Sequence, residues 1–395
     1  VSAPAAPARA PVAWDPTALR AAEWPWMDAG SATYLNAASI GPLPERTLAA
    51  VAAFNRLRAE PHKITFELQF GVLDEARAKA ARLVGGAADE VALMVNTTYG
   101  LNLAARCLQL GAGDVVLSFD REFPANVIPW MALAGQGVRF VQVPCVDGLP
   151  DEDALVAAIA STPGLKVVTV SWVSFANGAR VDLARIGAAC RARGGVTFVV
   201  DAIQGVGTAP LDVEAAQVDI LACGAQKWLL SPWGTGFVWI RRALLRTLEP
   251  NPVGWMAPEG TDDFSRLLDY STRWRDNARR FEVITVPFQD FVGFNASVGL
   301  LLDVGVDVVH AHLARVLDAG IAAADAHGLR VVTPRERSRR AGILAVVPRG
   351  DAAAASRRLG AAGVAHSLRE GSIRLSPHLY SPVAAMERAV RMLAE

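Results

Sequence analysis

From residue 91 to residue 238 the chain alternates short apolar runs with amphipathic stretches, and that alternation limits the fold more than any other feature. The runs VALMV, VVLSF, VRFVQV, KVVTVSWV, VTFVVD, DILAC and GFVWI are rich in β-branched residues. Most are too continuously apolar for a sheet with one wet face, and they suit strands buried on both sides. Helical patterns separate them over 101–110, near 129–133, and over 152–159 and 183–192. Strand and helix in turn predict an α/β fold with a mainly parallel sheet covered by helices.

Beyond about residue 250 the pattern changes. Residues 261–282 are rich in arginine, aspartate and aromatics with little strand character, and 294–326 reads as long helices. RVVTP, GILAVVP and SIRLSP then alternate with helical patterns over 352–359 and 384–393, as in a smaller α+β domain. The expected divisions are an amino-terminal arm (1–30, opening on the Ala/Pro-rich VSAPAAPARAPVAW), a large α/β domain (31–270) and a small α+β domain (271–395).

Charge narrows the function. Thirty-nine basic residues balance thirty-nine acidic ones, which leaves no basic footprint for nucleic acid and no polybasic face for an anionic membrane. The longest apolar runs fall far short of the ~20 residues that cross a bilayer. A small-molecule partner is expected, with neither nucleic acid nor membrane. The expected location is cytoplasmic, and an exported form that has lost a leader fits the same residues. Cys107, Cys145, Cys190 and Cys223 form no CxxC pair and sit singly in apolar contexts, so neither disulfide nor zinc is expected. His310 and His312, two apart on a predicted helix, point to different faces, and no metal is expected.

Lysine supplies only four of the 39 basic residues, at 63, 79, 166 and 227. Each is therefore a question, because lysine alone offers an amine nucleophile with a movable pKa. Lys79 lies on a charged helical face and Lys166 by a strand, both expected as solvated surface positions, and Lys63 has no evident partner. Lys227 differs: GAQKWLLSPWGTG sets it in a Gly/Pro/Trp-rich turn after an apolar strand, with no acidic neighbour. Such surroundings favour the neutral amine that attacks an aldehyde. One strand earlier, VTFVV ends on Asp201, with Gln204 just beyond, at the strand end where open α/β sheets bind ligands. An acid after one strand and an isolated lysine after the next fit pyridoxal phosphate, whose ring nitrogen wants the acid and whose aldehyde wants the lysine.

Upstream, Asn96, Thr97 and Thr98 stand between a strand and a helix, where unpaired amides and hydroxyls form an anion cup suited to a phosphate, although simple helix capping explains them equally. Phe123 in EFPANVIPW offers a flat face for a pyridine ring. In SIRLSPHLY, Arg374 alternates with Ile373 and Leu375, and its fork matches a substrate carboxylate.

With these residues in place, the sequence resembles the class V aminotransferase group of fold-type I pyridoxal phosphate enzymes, particularly the branch of cysteine desulfurase-like and isopenicillin N epimerase-like proteins. The resemblance runs from YLNAASIGPLP to RLSPHLYSP and rests on the ordered set NTTYGLN, EFPANVIPW, VDAIQ, GAQKWLLSPWGTGF and IRLSPHLY. It implies a seven-stranded-type sheet and a homodimer. It also implies a Schiff base on Lys227, Asp201 at the pyridine nitrogen, Gln204 at the ring hydroxyl, Thr98 and Gln226 with Thr97 at the phosphate, Phe123 stacked on the ring and Arg374 on the substrate carboxylate.

Departures from the family pattern matter as much. No cysteine follows Cys223, so a persulfide mechanism lacks its nucleophile. Phe123 and Gln226 stand where histidines are usual, Phe175 where an asparagine is often found, and Phe288 where a phosphate-binding threonine from the partner chain is expected, with Gln289 beside it. Asn36, Phe70, Trp130, Trp172, Phe175 and Arg369 are the substrate-side candidates. The reaction expected is amino transfer on an α-amino acid. The alternatives are β-elimination (a C–S lyase) or epimerisation through the same lysine, and a non-catalytic binding protein is disfavoured because lysine, acid and phosphate cup are all intact.

Overall fold

A computed structural model describes residues 15–30 and 32–395, and the stretch 1–14 of the expected arm lies outside them. Two short helices come first, α1 (Pro16–Glu23) and α2 (Pro25–Asp28). Each starts on proline, whose fixed φ and missing N–H suit a first turn, and the Asp15 carboxylate accepts the Thr17 amide. Trp24 between them is fully buried, its indole N–H on the Pro42 carbonyl. The chain continues through β1 (Thr33–Tyr34), α3 (Glu45–Arg58) and α4 (Phe66–Val84). The Thr65 hydroxyl caps the start of α4.

The large sheet follows, built from β2 (Val91–Met94), β3 (Val115–Phe119), β4 (Arg139–Val143), β5 (Leu165–Ser171), β6 (Thr197–Asp201), β7 (Ile220–Gly224) and β8 (Gly236–Ile240). Interleaved are α5 (Thr97–Cys107), α6 (Ile128–Met131), α7 (Glu152–Ser161), α8 (Leu183–Arg193) and α9 (Arg242–Leu245). Among the described residues this is a seven-stranded sheet of order β2-β8-β7-β6-β5-β3-β4. Pairing is parallel from β7 across to β4, while β8 runs antiparallel to both β7 and β2. Parallel neighbours need a crossover, but β7 returns as β8 through one loop, 225–235. Every residue of β2, β3, β7 and β8 is buried, as the continuous apolar runs require.

The segment 261–282 carries short 3-10 turns, Phe264–Arg266 and Ala278–Phe281, as its lack of strand character suggests. It is pinned to the large sheet by Glu282, whose carboxylate takes two bonds from the buried Arg77 of α4, at 2.8 and 2.6 Å, and one from the Leu93 amide. Next come α10 (Phe288–Val304) and α11 (Val306–Ala326), bent by 76° at Gly305, whose φ of 92° only glycine adopts readily. No single helix among the described residues is long and apolar enough to cross a membrane. The chain ends with β9 (Arg330–Val331), β10 (Leu344–Val347), α12 (Ala352–Ala361), β11 (Val364–Ala365), β12 (Ser367–Arg369), β13 (Ser372–Leu375) and α13 (Val383–Arg391). Four of these strands form an antiparallel sheet of order β12-β13-β10-β9, while β11 pairs in parallel with the distant β1. Leu344, Ile373 and Leu375 pack with Leu317 of α11 and Met386 of α13 into a core of their own.

Candidate active site

The strands β2, β3, β5, β6 and β7 run in one direction, so their carboxyl ends share an edge of the sheet, and the expected site residues gather there. Lys227 stands on the β7–β8 loop. That loop is laced by Ala225 to the Thr235 carbonyl, Ser231 to the Ala225 carbonyl and Leu230 to the Lys227 carbonyl, at 2.9, 3.1 and 3.1 Å. The Gly41 amide donates to the Gln226 carbonyl at 2.8 Å, and a Cβ on Gly41 would fall 2.0 Å from the Lys227 carbonyl oxygen. Only glycine lets the two backbones approach so closely.

Asp201 ends β6 with 2% of its surface exposed and accepts the Ile203 amide at 3.1 Å. Burial pushes its carboxyl up to about 6, while the Ile203 amide and the Lys227 charge pull the other way. Lys227 moves oppositely: burial lowers its amine to about 8, Asp201 and Cys223 raise it, and Arg374 and Arg369 lower it further. Its Nζ lies 5.6 Å from the centre of the Phe123 ring. Phe123 is 41% exposed and meets Phe175 edge to face, centroids 5.2 Å apart. The other lysines are elsewhere. Lys63 pairs with Glu60 and Lys166 is exposed on β5. Lys79, expected as solvated, is half-buried, because its ammonium donates to the Asn295 carbonyl at 2.7 Å and pairs with Glu75.

The start of α5 faces the end of β7. Asn96 caps the Tyr99 amide, and the amides of Thr97 and Thr98, in the first turn, have no carbonyl within the helix to meet. The buried Thr97 hydroxyl oxygen is already taken by the Gly224 amide at 2.8 Å, whereas Thr98 is exposed. A Cβ on Gly224 would lie 2.7 Å from Gln226 Oε1 and 3.1 Å from Thr97 Oγ1. Glycine there keeps open a cradle of first-turn amides, a threonine hydroxyl and an amide side chain, which fits a phosphate. Gln204, 3% exposed, donates from Nε2 to the Ala38 carbonyl at 3.1 Å and accepts the Trp228 indole N–H on Oε1 at 2.7 Å. Half-buried lysine, buried acid, exposed phenyl face and cradle together suit pyridoxal phosphate.

Arg374 is 2% exposed, so it does not lie on a solvent face. It donates to the Phe175 carbonyl and to Ser39 Oγ, both at 2.7 Å, and more distantly to Ser367 Oγ, while its Nε has no partner. A guanidinium buried among neutral acceptors is uncompensated charge, and burial with the nearby Arg369 lowers its pKa to about 10. Asn36 joins this cluster by accepting the Ser367 hydroxyl at 2.8 Å. Arg369 is exposed and lines a cleft of about 710 Å³ with Arg121, Glu122, Cys145, Phe175 and Arg330.

Several expected pocket residues lie elsewhere. Trp130 is fully buried with Leu101, Val116 and Leu133, because α6 turns it into the core. Trp172 is buried under Gly205, where a Cβ would meet its ring at 2.1 Å. Phe70 belongs to a separate aromatic group with Phe66, Phe264 and Phe288, and Phe288 is 8% exposed at the start of α10. Glu122 joins the site without any local signal in the sequence. It accepts the Ser171 amide at 2.8 Å, the Ser171 hydroxyl and the Asn126 side chain, stapling the Phe123 loop to β5. Desolvation raises its carboxyl to about 7.

A family model described as aminotransferase class-V matches residues 33–389. An isopenicillin N epimerase of Streptomyces clavuligerus is 34% identical over 58% of this chain, a match that spans 58% of the epimerase's own length. A probable cysteine desulfurase of Aeropyrum pernix is 31% identical over 73% of this chain and 71% of its own. The solved apo structure of a cysteine desulfurase from Thermococcus onnurineus NA1 matches with a TM-score of 0.85 over 96% of this chain and 98% of that one, at 21% identity, which is a likeness of fold.

Proposed function

The chain belongs to the class-V aminotransferase family, whose cofactor is pyridoxal 5'-phosphate, and from that premise we propose that it is an aminotransferase acting on an α-amino acid, with Lys227 as its base. Bound at this edge, the cofactor supplies an aldehyde that takes up an amine and a ring that draws electrons from the substrate's Cα. Lys227 carries the proton, and the lowered pKa of its amine suits a base near neutral pH. Asp201 meets the ring nitrogen, Gln204 the ring hydroxyl, and Thr98, Gln226 and the first-turn amides the phosphate. Phe123 is the stacking plate. Arg374 holds the α-carboxylate, with Asn36 and Arg369 beside it.

One observation favours amino transfer: the ring that faces Lys227 Nζ is Phe123, with Phe175 packed edge to face against it, and neither carries a titratable group. Epimerisation needs a second base on the opposite face, and this aromatic pair moves no proton. Persulfide formation fares no better, because burial and Asp120 push the thiol of Cys145, which lines the cleft, up to about 12, and Cys223 is buried under the loop. Elimination is the second reading, favoured by Glu122, a carboxyl near neutral pKa in the same cleft, although three donors already hold its oxygens. A single turnover with an amino acid and no acceptor separates the readings. One equivalent of 2-oxo acid per site without ammonia supports amino transfer, whereas ammonia release with the cofactor unchanged replaces it with the lyase.

A second copy of the chain is the proposed partner. Phe66, Phe264 and Trp255 form a contiguous aromatic patch, with Phe66 and Trp255 exposed, and Leu268 and Tyr270 of the same segment are 78% and 86% exposed. Such a patch is costly to leave in water. Sedimentation is expected to give a dimer at micromolar concentration, and a fully active monomer there removes the proposal.

A further inference from the structure

Three residues past β13, which carries Arg374, the chain buries His378 completely against the lysine loop. The Leu379 amide points at His378 Nδ1 over 2.7 Å. An amide N–H only donates, so Nδ1 is the bare nitrogen and the ring proton sits on Nε2. From there it is donated to the Trp228 carbonyl at 2.9 Å, one residue beyond Lys227. Burial keeps the imidazole neutral near neutral pH, with its pKa down at about 4, so this pattern of donors holds there.

The same ring stacks on Tyr380 and packs against Trp228 at a tilt of 34°, with centroids 5.6 and 5.5 Å away. Trp228 in turn lies on Gly342, where a Cβ would come within 2.6 Å of the indole, so the ring has no room to swing. Its N–H on Gln204 Oε1 settles which end of that amide is which: Nε2 gives one proton to Ala38 and keeps the second for the site. The strand end itself is tied down beside it, since Ser376 accepts the Ala37 amide on its carbonyl and the Ala38 amide on its hydroxyl, both at 3.0 Å.

We propose that His378 is a positioning residue that locks the strand bearing Arg374 to the lysine loop, so that, through Trp228, the Lys227 amine and the Gln204 amide are held in register with the carboxylate anchor. The inference rests on the roles given above to Lys227 and Arg374, and it adds a residue that touches neither substrate nor cofactor. It makes the anchor and the base one unit, joined by the His378 N–H···O bond and the packing of three aromatic rings. Breaking the bond frees the loop, lets water reach Lys227 and relaxes the set of charges around it, namely Asp201, Cys223, Arg374 and Arg369.

The test uses full-length wild type, H378Q, H378F and W228F. H378Q keeps an N–H within reach of the Trp228 carbonyl, H378F keeps the stack without the donor, and W228F removes the indole N–H from Gln204. Lys227 ionisation is read without turnover, from the pH dependence of its acylation after cofactor removal, with peptide mapping to separate it from Lys63, Lys79 and Lys166. In H378F the midpoint is expected to rise by about one pH unit or more as burial is lost. The KM for an α-amino acid is expected to rise about tenfold in the reloaded enzyme, and H378Q restores both. A folded H378F with wild-type midpoint and KM overturns the proposal, as does an H378Q that rescues neither. Should H378F fail to fold, W228F decides: cofactor binding about tenfold weaker supports the lock, and unchanged binding overturns it. If acylating Lys227 in the wild type leaves cofactor capture intact, the reading of Lys227 itself falls and this inference with it, an outcome distinct from any behaviour of the His378 variants.

Discussion

Replacing Lys227 with alanine is expected to lower turnover by about 10⁴-fold or more while leaving the fold and non-covalent cofactor binding in place. Both the covalent tether and the proton carrier go with one side chain, and no other lysine stands at the sheet edge, since Lys63 and Lys79 are in ion pairs elsewhere and Lys166 faces solvent from β5. Borohydride should fix the cofactor on Lys227 in the wild type and on nothing in the variant. The pH dependence follows from the lowered amine. At pH 7 a group of pKa about 8 is roughly 10% neutral, against about 0.03% for an ordinary lysine, a gain of roughly 300-fold in the nucleophilic form. Cofactor capture by the stripped protein should therefore rise about tenfold per pH unit and level off above about pH 8. A midpoint near 10, or label on another lysine, would show that the amine is not the one assigned.

Arg374→Ala is expected to lower kcat/KM for an α-amino acid by roughly 30- to 5,000-fold, the equivalent of about 2–5 kcal/mol for a lost buried bidentate pair. Cofactor binding should survive, because Arg374 bonds to Phe175, Ser39 and Ser367 rather than to the lysine loop, while the capture midpoint of Lys227 should rise with loss of the Arg374 charge. Arg374→Lys should recover little, since an ammonium keeps the charge without the fork. If the alanine variant keeps wild-type kinetics, the anchor lies elsewhere, with Arg369 in the cleft the next residue to change.

That Lys227, Asp201 and the start of α5 meet at one sheet edge was legible in the sequence because each follows a short buried strand, and position after a strand is information the chain carries locally. Direction across the sheet is not local. Trp130 reads like a pocket aromatic beside EFPANVIPW, yet α6 turns it to the opposite layer, with Val116 and Leu133. Lys79 reads as solvated because its partner, the Asn295 carbonyl, is 216 residues away, and Glu122 is silent because its meaning depends on Ser171, 49 residues on. α3 buries only Thr47 and Phe54, too few to write an apolar stripe into its sequence. Three of the small sheet's four strands, β9, β10 and β13, lie in apolar runs, but β12 and the pairing of β1 with β11 fall in segments of two or three residues that no pattern marks.

That pairing bears on how the protein comes to life on the ribosome. The segment beyond β1 is completed by the strand end after β13, with the Ala38 amide bonded to a Ser376 side chain 338 residues later. A nascent chain that has already placed Lys227, Asp201 and the start of α5 still lacks these contacts, and pairings so distant in sequence slow folding. A chain cut before β13 therefore holds Lys227 and Asp201 without Arg374 or the Ser376 contacts that tie down the segment after β1.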